Sequence, residues 1–194
     1  MIQIAVVGKI GSGKTFVATS LGMPAFNADK QVANIYKNNR ECFLKLKKKI
    51  PKFIQSFPIS KKEISEAILG NKKNLNIITK IIHPLVRKKL KNFLKKNKNK
   101  KAIVLDIPLY FENKLNKKND IILYVDAKND EINKRLKKRP KFNQKILNRF
   151  KKIQLKSSLK KKKSSYIINN NFNSKFIKKK INIIKNEILN NNEY

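Results

Sequence analysis

Residues 8–15 read Gly8-Lys9-Ile10-Gly11-Ser12-Gly13-Lys14-Thr15, directly after the apolar run Ile2–Val7. The spacing is glycine, four residues, then Gly-Lys-Thr. A buried strand, a glycine turn and a helix in that order form a unit whose backbone N–H groups wrap phosphate groups. Three of the chain's five glycines fall within these eight residues. In this unit Lys14 reaches the β- and γ-phosphates of a nucleotide, and the Thr15 hydroxyl is placed to ligate Mg²⁺. The expected ATP-binding set is Gly8, Gly11, Ser12, Gly13, Lys14, Thr15 and Phe16.

The rest of the chain alternates short apolar runs with longer amphipathic stretches. Strands are expected at Ile2–Val7, near Pro24–Phe26, and at Ala102–Asp106, Ile121–Val125 and Tyr166–Ile168. Helices are expected at Thr15–Leu21, closed by Gly22, and at Asp29–Asn38. Another opens at Ser60 with a Ser-Lys-Lys-Glu capping box ending on Glu63, and stops at Gly70. From Leu75 to about Lys96 the pattern is helical, with Pro84 expected to kink or restart it. Asp130–Lys138, a single basic helix over Asn143–Lys163, and Ser174–Leu189 complete the reading. Alternating strands and helices predict an α/β fold, a P-loop NTPase-type parallel β-sheet flanked by helices. No domain boundary is evident, so residues 1–194 are expected to form one domain.

The chain has 194 residues, 40% hydrophobic, and a net charge of +36 from 48 Lys+Arg against 12 Asp+Glu. Such charge ordinarily points to nucleic acid. Here the excess is nearly all lysine, accompanied by abundant asparagine and isoleucine, residues whose codons are all A/T-rich. Aromatic residues are not interleaved with the basic runs as stacking platforms. Compositional drift is therefore the preferred account. The expected partners are small-molecule substrates, not nucleic acid or membrane. The single cysteine, Cys42, reads as a small buried apolar residue and favours a reducing compartment. No apolar run approaches a membrane span, and the first residues lack a signal-peptide pattern, so the expected location is the cytoplasm.

Three further segments carry chemistry. Asn27-Ala28-Asp29 follows the second strand, where strand ends face the ligand crevice. A carboxylate there can accept a proton from an attacking hydroxyl or hold Mg²⁺ through water, and a helix N-cap role fits equally well. His83-Pro84-Leu85-Val86-Arg87 contains the chain's only histidine. The His-Pro pair is expected to break the helix and shape a loop facing an anionic substrate, against a purely structural histidine. Finally, the strand ending at Asp106 occupies the usual place of the second acid that assists Mg²⁺. Its continuation Pro108-Leu109-Tyr110-Phe111-Glu112 can line a pocket for a bulky partner or pack as a strand-end turn.

In this order the segments resemble the dephospho-CoA kinase family, from the first residues to about Asn171. The resemblance rests on Gly8–Thr15, Asn27–Asp29, His83–Arg87, Pro108–Glu112, and then Arg135, Arg139 and Gln154. It implies transfer of the ATP γ-phosphoryl group to the 3′-hydroxyl of dephospho-CoA, with ATP and Mg²⁺ required. It implies Asp29 as catalytic acid/base, with Lys14, Arg135 and Arg139 on the phosphates. Acceptor-binding residues would be Asp29, His83, Arg87, Pro108, Leu109, Phe111 and Glu112, and metal-binding residues Thr15 and Asp106. A helical acceptor-binding region would cover about 60–98 and a small lid about 135–163. The chain departs from the family pattern at Asn27, where an aspartate is usual, at Lys9, where glycine is frequent, and at Asn169–Phe172, the adenine-side loop.

Three other readings are weighed. A GTPase needs Asp-x-x-Gly, and none of the five glycines has an aspartate three residues before it. A nucleoside-monophosphate-type kinase shares fold and lid. An RNA-binding P-loop protein would use the lysine surface.

Overall fold

The computed structural model describes residues 1–140 and 142–191. The described chain divides into two compact units. The first comprises Met1–Asn27, Asn97–Phe142 and the chain from Phe150 onward, and the second Ala28–Lys96 with Asn143–Arg149.

The first unit is built on a five-stranded, all-parallel sheet in the order β2-β3-β1-β4-β5. The strands are β1 (Ile2–Gly8), β2 (Ala25–Asn27), β3 (Ala102–Asp106), β4 (Ile121–Asp126) and β5 (Tyr166–Asn169). All five agree with the sequence expectation to within a residue at each end. β1 lies centrally, with Ile4 opposite Val104 on one side and Ile121 on the other. It is therefore covered on both faces and reads as an uninterrupted apolar run. Alternation sends Ile4 and Val6 to the face covered by α1 (Lys14–Ser20) and α9 (Ser174–Asn190). Ile177, Ile181 and Ile188 of α9 are fully buried there beside Val17 and Leu21 of α1, the spacing of one helical face. Gly22, at φ +68°, closes α1 as expected, its N–H bonded to the Thr19 carbonyl.

The second unit is helical: α2 (Ala28–Asn38), α3 (Arg40–Lys49), α4 (Lys61–Gly70) and α5 (Lys72–Lys96), with the first part of α7 (Gln144–Ile153). Its buried side chains include Ile35, Cys42, Leu46, Ile54, Ala67, Ile78 and Ile82. Burial, and secondly the charge of Glu41, pushes the Cys42 thiol up to about 11, so it packs as an inert apolar group. α3 escapes the sequence reading because five of its ten residues are lysine or arginine, so it looks like another lysine-rich stretch. Its signals are the Asn39 side chain, which accepts the Cys42 N–H at 2.7 Å, and the apolar face Cys42-Phe43-Leu46. The capping box forms as read: Ser60 Oγ accepts the Glu63 N–H, and Glu63 accepts the Ser60 N–H.

Two expectations are corrected. Pro84 does not interrupt its helix, since α5 runs unbroken for 25 residues. Pro84 lies on the exposed side, while Leu75, Ile78, Ile82, Leu85, Val86 and Phe93 keep an apolar face turned inward. One missing N–H on the solvent side is tolerated when packing continues beneath it. Conversely, the single helix expected over Asn143–Lys163 is two, α7 and α8 (Ser157–Lys162), broken at Gln154–Lys156. The Leu155 N–H at the break leaves the helical ladder for the Glu112 carboxylate, 2.8 Å away.

Among the described residues, no helix is long and apolar enough to cross a membrane.

Candidate active site

The loop Gly8–Gly13 connects the C-terminal end of β1 to α1 in the first unit. Gly8 is obligatory because a Cβ there would fall 2.5 Å from the Val125 carbonyl oxygen on β4. Gly13 adopts φ +94° at the N-cap of α1 and abuts Asn170, a place with neither the backbone nor the room for a side chain. Lys14 is 8% exposed, and its Nζ donates to the Lys9 carbonyl at 2.8 Å across the loop. Ser12 is fully buried, and its hydroxyl has no hydrogen-bond partner among the described residues. An orphaned hydroxyl beside a ring of loop amides is what a phosphate-binding cradle leaves for its anion.

The acid at the end of β3 is held by its neighbour. Asp106 is 3% exposed, and its Oδ2 accepts from Asn27 Nδ2 at 2.6 Å, where β2 pairs with β3. The departure at Asn27 thus places an amide donor against the Asp106 carboxylate. Asp106 and Thr15 give the first unit a carboxylate and a hydroxyl. These hard oxygen donors suit Mg²⁺, which keeps several waters and takes its other ligands from substrate phosphates.

α6 (Asn129–Lys137) packs against the loop: a Cβ on Gly11 would meet Ile132 and Leu136 at 3.0 Å. Arg135 on its exposed side lies over the Phe172 ring, 4.4 Å from the centroid. Arg139 follows the end of α6 and is exposed.

The departing segment Asn169–Phe172 has a structural role that the sequence does not announce. Asn170, 6% exposed, donates from Nδ2 to the Ser12 carbonyl at 2.8 Å and from its backbone to the Asp126 carbonyl at 2.7 Å. Its Oδ1 accepts the Phe172 N–H, fixing Phe172 at φ +62°. Asparagine favours such local backbone mimicry, but its abundance in this chain hides the one that matters.

In the segment after β3, Ile107, Tyr110 and Phe111 are buried, whereas Pro108 and Leu109 stay half-exposed. The Tyr110 hydroxyl donates to Asp120 at 2.6 Å, and burial first, then Asp120, raises its pKa. Glu112 Oε1 meets Lys160 Nζ at 2.6 Å. Tyr110 and Glu112 are thus engaged by the fold, leaving Pro108 and Leu109 as the accessible surface.

Asp29, His83 and Arg87 belong to the second unit. Asp29 stands in the first turn of α2. His83 and Arg87 lie one turn apart within α5, not in the loop expected from the His-Pro pair. Burial first, and then the Arg87 charge, lowers the His83 pKa, so the imidazole stays neutral at neutral pH. Sequence reasoning also missed Arg149, one of five arginines in a lysine-dominated chain. Its Nη2 donates to the Leu69 carbonyl at 3.0 Å, and its buried Nη1 has no partner among the described residues.

A family model for dephospho-CoA kinase matches residues 2–175. The chain belongs to the dephospho-CoA kinase family. The dephospho-CoA kinase of Bartonella quintana is 30% identical over 86% of this chain and 87% of that protein. That of Rickettsia bellii is 31% identical over 94% and 95%. A Thermus thermophilus protein of known structure shares the fold, with a TM-score of 0.76 over 96% of this chain and 97% of its own, at 23% identity. Family membership makes this chain a kinase.

Proposed function

We propose that the chain transfers the γ-phosphoryl group of ATP to the 3′-hydroxyl of dephospho-CoA, giving coenzyme A. The observation that carries this reading is the phosphate cradle with its buried, orphaned Ser12 hydroxyl, together with the buried Asp106 at the end of β3, in a chain of this family.

The loop amides and the α1 N-terminus hold the phosphates. Lys14 exchanges its bond to the Lys9 carbonyl for β- and γ-phosphate oxygens. Thr15 and Asp106 would hold Mg²⁺, which when bound offsets charge on the β- and γ-oxygens. Asp29 orients the acceptor hydroxyl and takes its proton as the new P–O bond forms and the bond to ADP breaks. Arg135 and Arg139 bring planar guanidinium forks to the transferring group. Arg87 attracts the anionic acceptor, neutral His83 offers it a hydrogen bond, and Pro108 and Leu109, backed by buried Phe111, supply its apolar wall. The helical acceptor region about 60–98 and the lid about 135–163, a range that includes residue 141 outside the described residues, belong to this proposal. So does a cytoplasmic location, where buried Cys42 stays reduced.

One assay separates the kinase classes: purified protein with Mg²⁺-ATP and, in parallel, dephospho-CoA, AMP, CMP and shikimate. ADP and coenzyme A should appear in equal amounts with dephospho-CoA alone. Transfer to AMP or CMP with none to dephospho-CoA would establish a nucleoside-monophosphate-type kinase instead.

A further inference from the structure

The lysine run Lys160–Lys163 reads as compositional background, yet three of its four members have specific partners. Lys160 is 3% exposed, and its Nζ meets Glu112 Oε1 at 2.6 Å, with the Glu112 side chain 9% exposed. Lys161 Nζ donates to Asp126 Oδ2 at 2.5 Å, a bond that raises the lysine's pKa. Lys163 Nζ lies 5.9 Å from the centroid of the Phe111 ring. Burying an ammonium without a partner is costly, so a lysine as deep as Lys160 needs its carboxylate.

The partners lead in two directions within the first unit. Glu112 ends the segment Pro108–Glu112, the proposed acceptor wall, and also takes the Leu155 N–H at the α7–α8 break. Asp126 ends β4, and its carbonyl takes the Asn170 N–H while Asn170 holds the Ser12 carbonyl of the phosphate loop. α8 therefore meets the acceptor wall through Lys160 and is linked to the phosphate loop through Lys161, Asp126 and Asn170 in turn. We propose that Lys160 is a positioning residue that, with Glu112, makes α8 a brace between the segment lining the acceptor and the loop holding ATP. This rests on the acceptor reading given above.

The test compares Lys160→Met, Lys160→Arg and Glu112→Gln with the wild-type protein. Removing one partner of a buried pair leaves the other uncompensated, so Lys160→Met should raise KM for dephospho-CoA about tenfold or more. The equilibrium affinity for ATP should stay within about twofold because Lys161 still anchors the phosphate side. Glu112→Gln should behave like Lys160→Met, and Lys160→Arg should recover most of the loss. Hydrogen exchange in the unliganded variants gives a readout independent of turnover. Peptides covering 107–115 and 155–163 should gain exchange together in Lys160→Met. A fall in melting temperature with KM unchanged, or exchange confined to 155–163, overturns the brace. Wild-type protein that phosphorylates no dephospho-CoA would overturn the acceptor reading alone, and the paired exchange would still judge the coupling.

Discussion

The guanidinium carbon of Arg135 lies over the Phe172 ring, 4.4 Å from its centroid. Phe172 is itself fixed at φ +62° by Asn170, which also props the phosphate loop. The stack parks a delocalised cation at the edge of the cradle at little desolvation cost, because guanidinium is weakly hydrated and favours aromatic faces.

If Arg135 moves from this ring to the transferring phosphoryl group, its planar fork matters as well as its charge. Arg135→Ala should lower kcat at least about 100-fold with little change in ATP affinity, and Arg135→Lys should restore less than about a tenth of it. Steady-state kinetics with equilibrium ATP binding check both. Full activity in Arg135→Lys would reduce the residue to a surface cation. Phe172→Ala should leave the fold intact, because the ring is only half-buried, in the loop after β5.

Asn27 and Asp106 give a sharper test of the Mg²⁺ assignment. Asn27→Asp puts two carboxylates where a 2.6 Å hydrogen bond now lies. Two such groups cannot both ionise freely, so one pKa rises. The acid limb of the kcat/KM profile should therefore move to higher pH in Asn27→Asp, and more Mg²⁺ should be needed for half-maximal rate at pH 6. Asp106→Asn should lose activity by about 100-fold or more, as expected when a charged metal-assisting group is removed. A pH profile unchanged by Asn27→Asp would show that Asp106 does not bear on the reaction.

Glu63 links stability of the helical unit to pH. Burial opposes its charge, but N–H donors from Gln55, Ser56 and Ser60 outweigh that and bring its pKa down to about 2. A lowered carboxylate pKa means the unfolded chain takes up the proton first. Its contribution is present above about pH 4.5 and is lost as pH falls toward about 2. The difference in unfolding free energy between wild type and Glu63→Gln should shrink across that window. Ser60→Ala should cost about 1 kcal/mol at neutral pH through loss of the cap. Denaturant titrations at pH 7, 4 and 3 measure both.

The strands of this chain are legible because each is a short apolar run bounded by polar turns, and the three inner ones, β1, β3 and β4, are largely buried. The capping box at Ser60 and the glycine at 22 are equally local, and both are found. What the sequence hides depends on partners far along the chain. Pro84 reads as a helix breaker until the apolar face from Leu75 to Phe93 shows why the helix continues. The break at Gln154–Lys156 requires Glu112, 43 residues upstream. Lysine enrichment conceals Lys160, and asparagine enrichment conceals Asn170, because a residue type used everywhere carries no signal where it is needed. Arginine, used five times, carries more: Arg135 is engaged at the cradle and Arg149 on a helix-end carbonyl.

Asp29 is the residue on which the acceptor chemistry depends, and its position in the first turn of α2 supports two roles. A carboxylate there also favours the helix through its dipole, an effect of about 0.3–1 kcal/mol at an exposed site. Asp29→Asn keeps the shape and hydrogen-bonding reach while removing the base. A proton acceptor contributes typically about 100- to 10,000-fold, so kcat should fall within that range while ATP affinity and melting temperature change little. Asp29→Glu should recover only part, since a longer side chain displaces the accepting oxygen. A melting temperature lowered by several degrees with kcat intact would instead make Asp29 a helix-start residue, and the hydroxyl's proton would need another acceptor. The pH dependence separates the cases further: base catalysis removes the acid limb of kcat in Asp29→Asn, whereas a helix-start role leaves that limb unchanged.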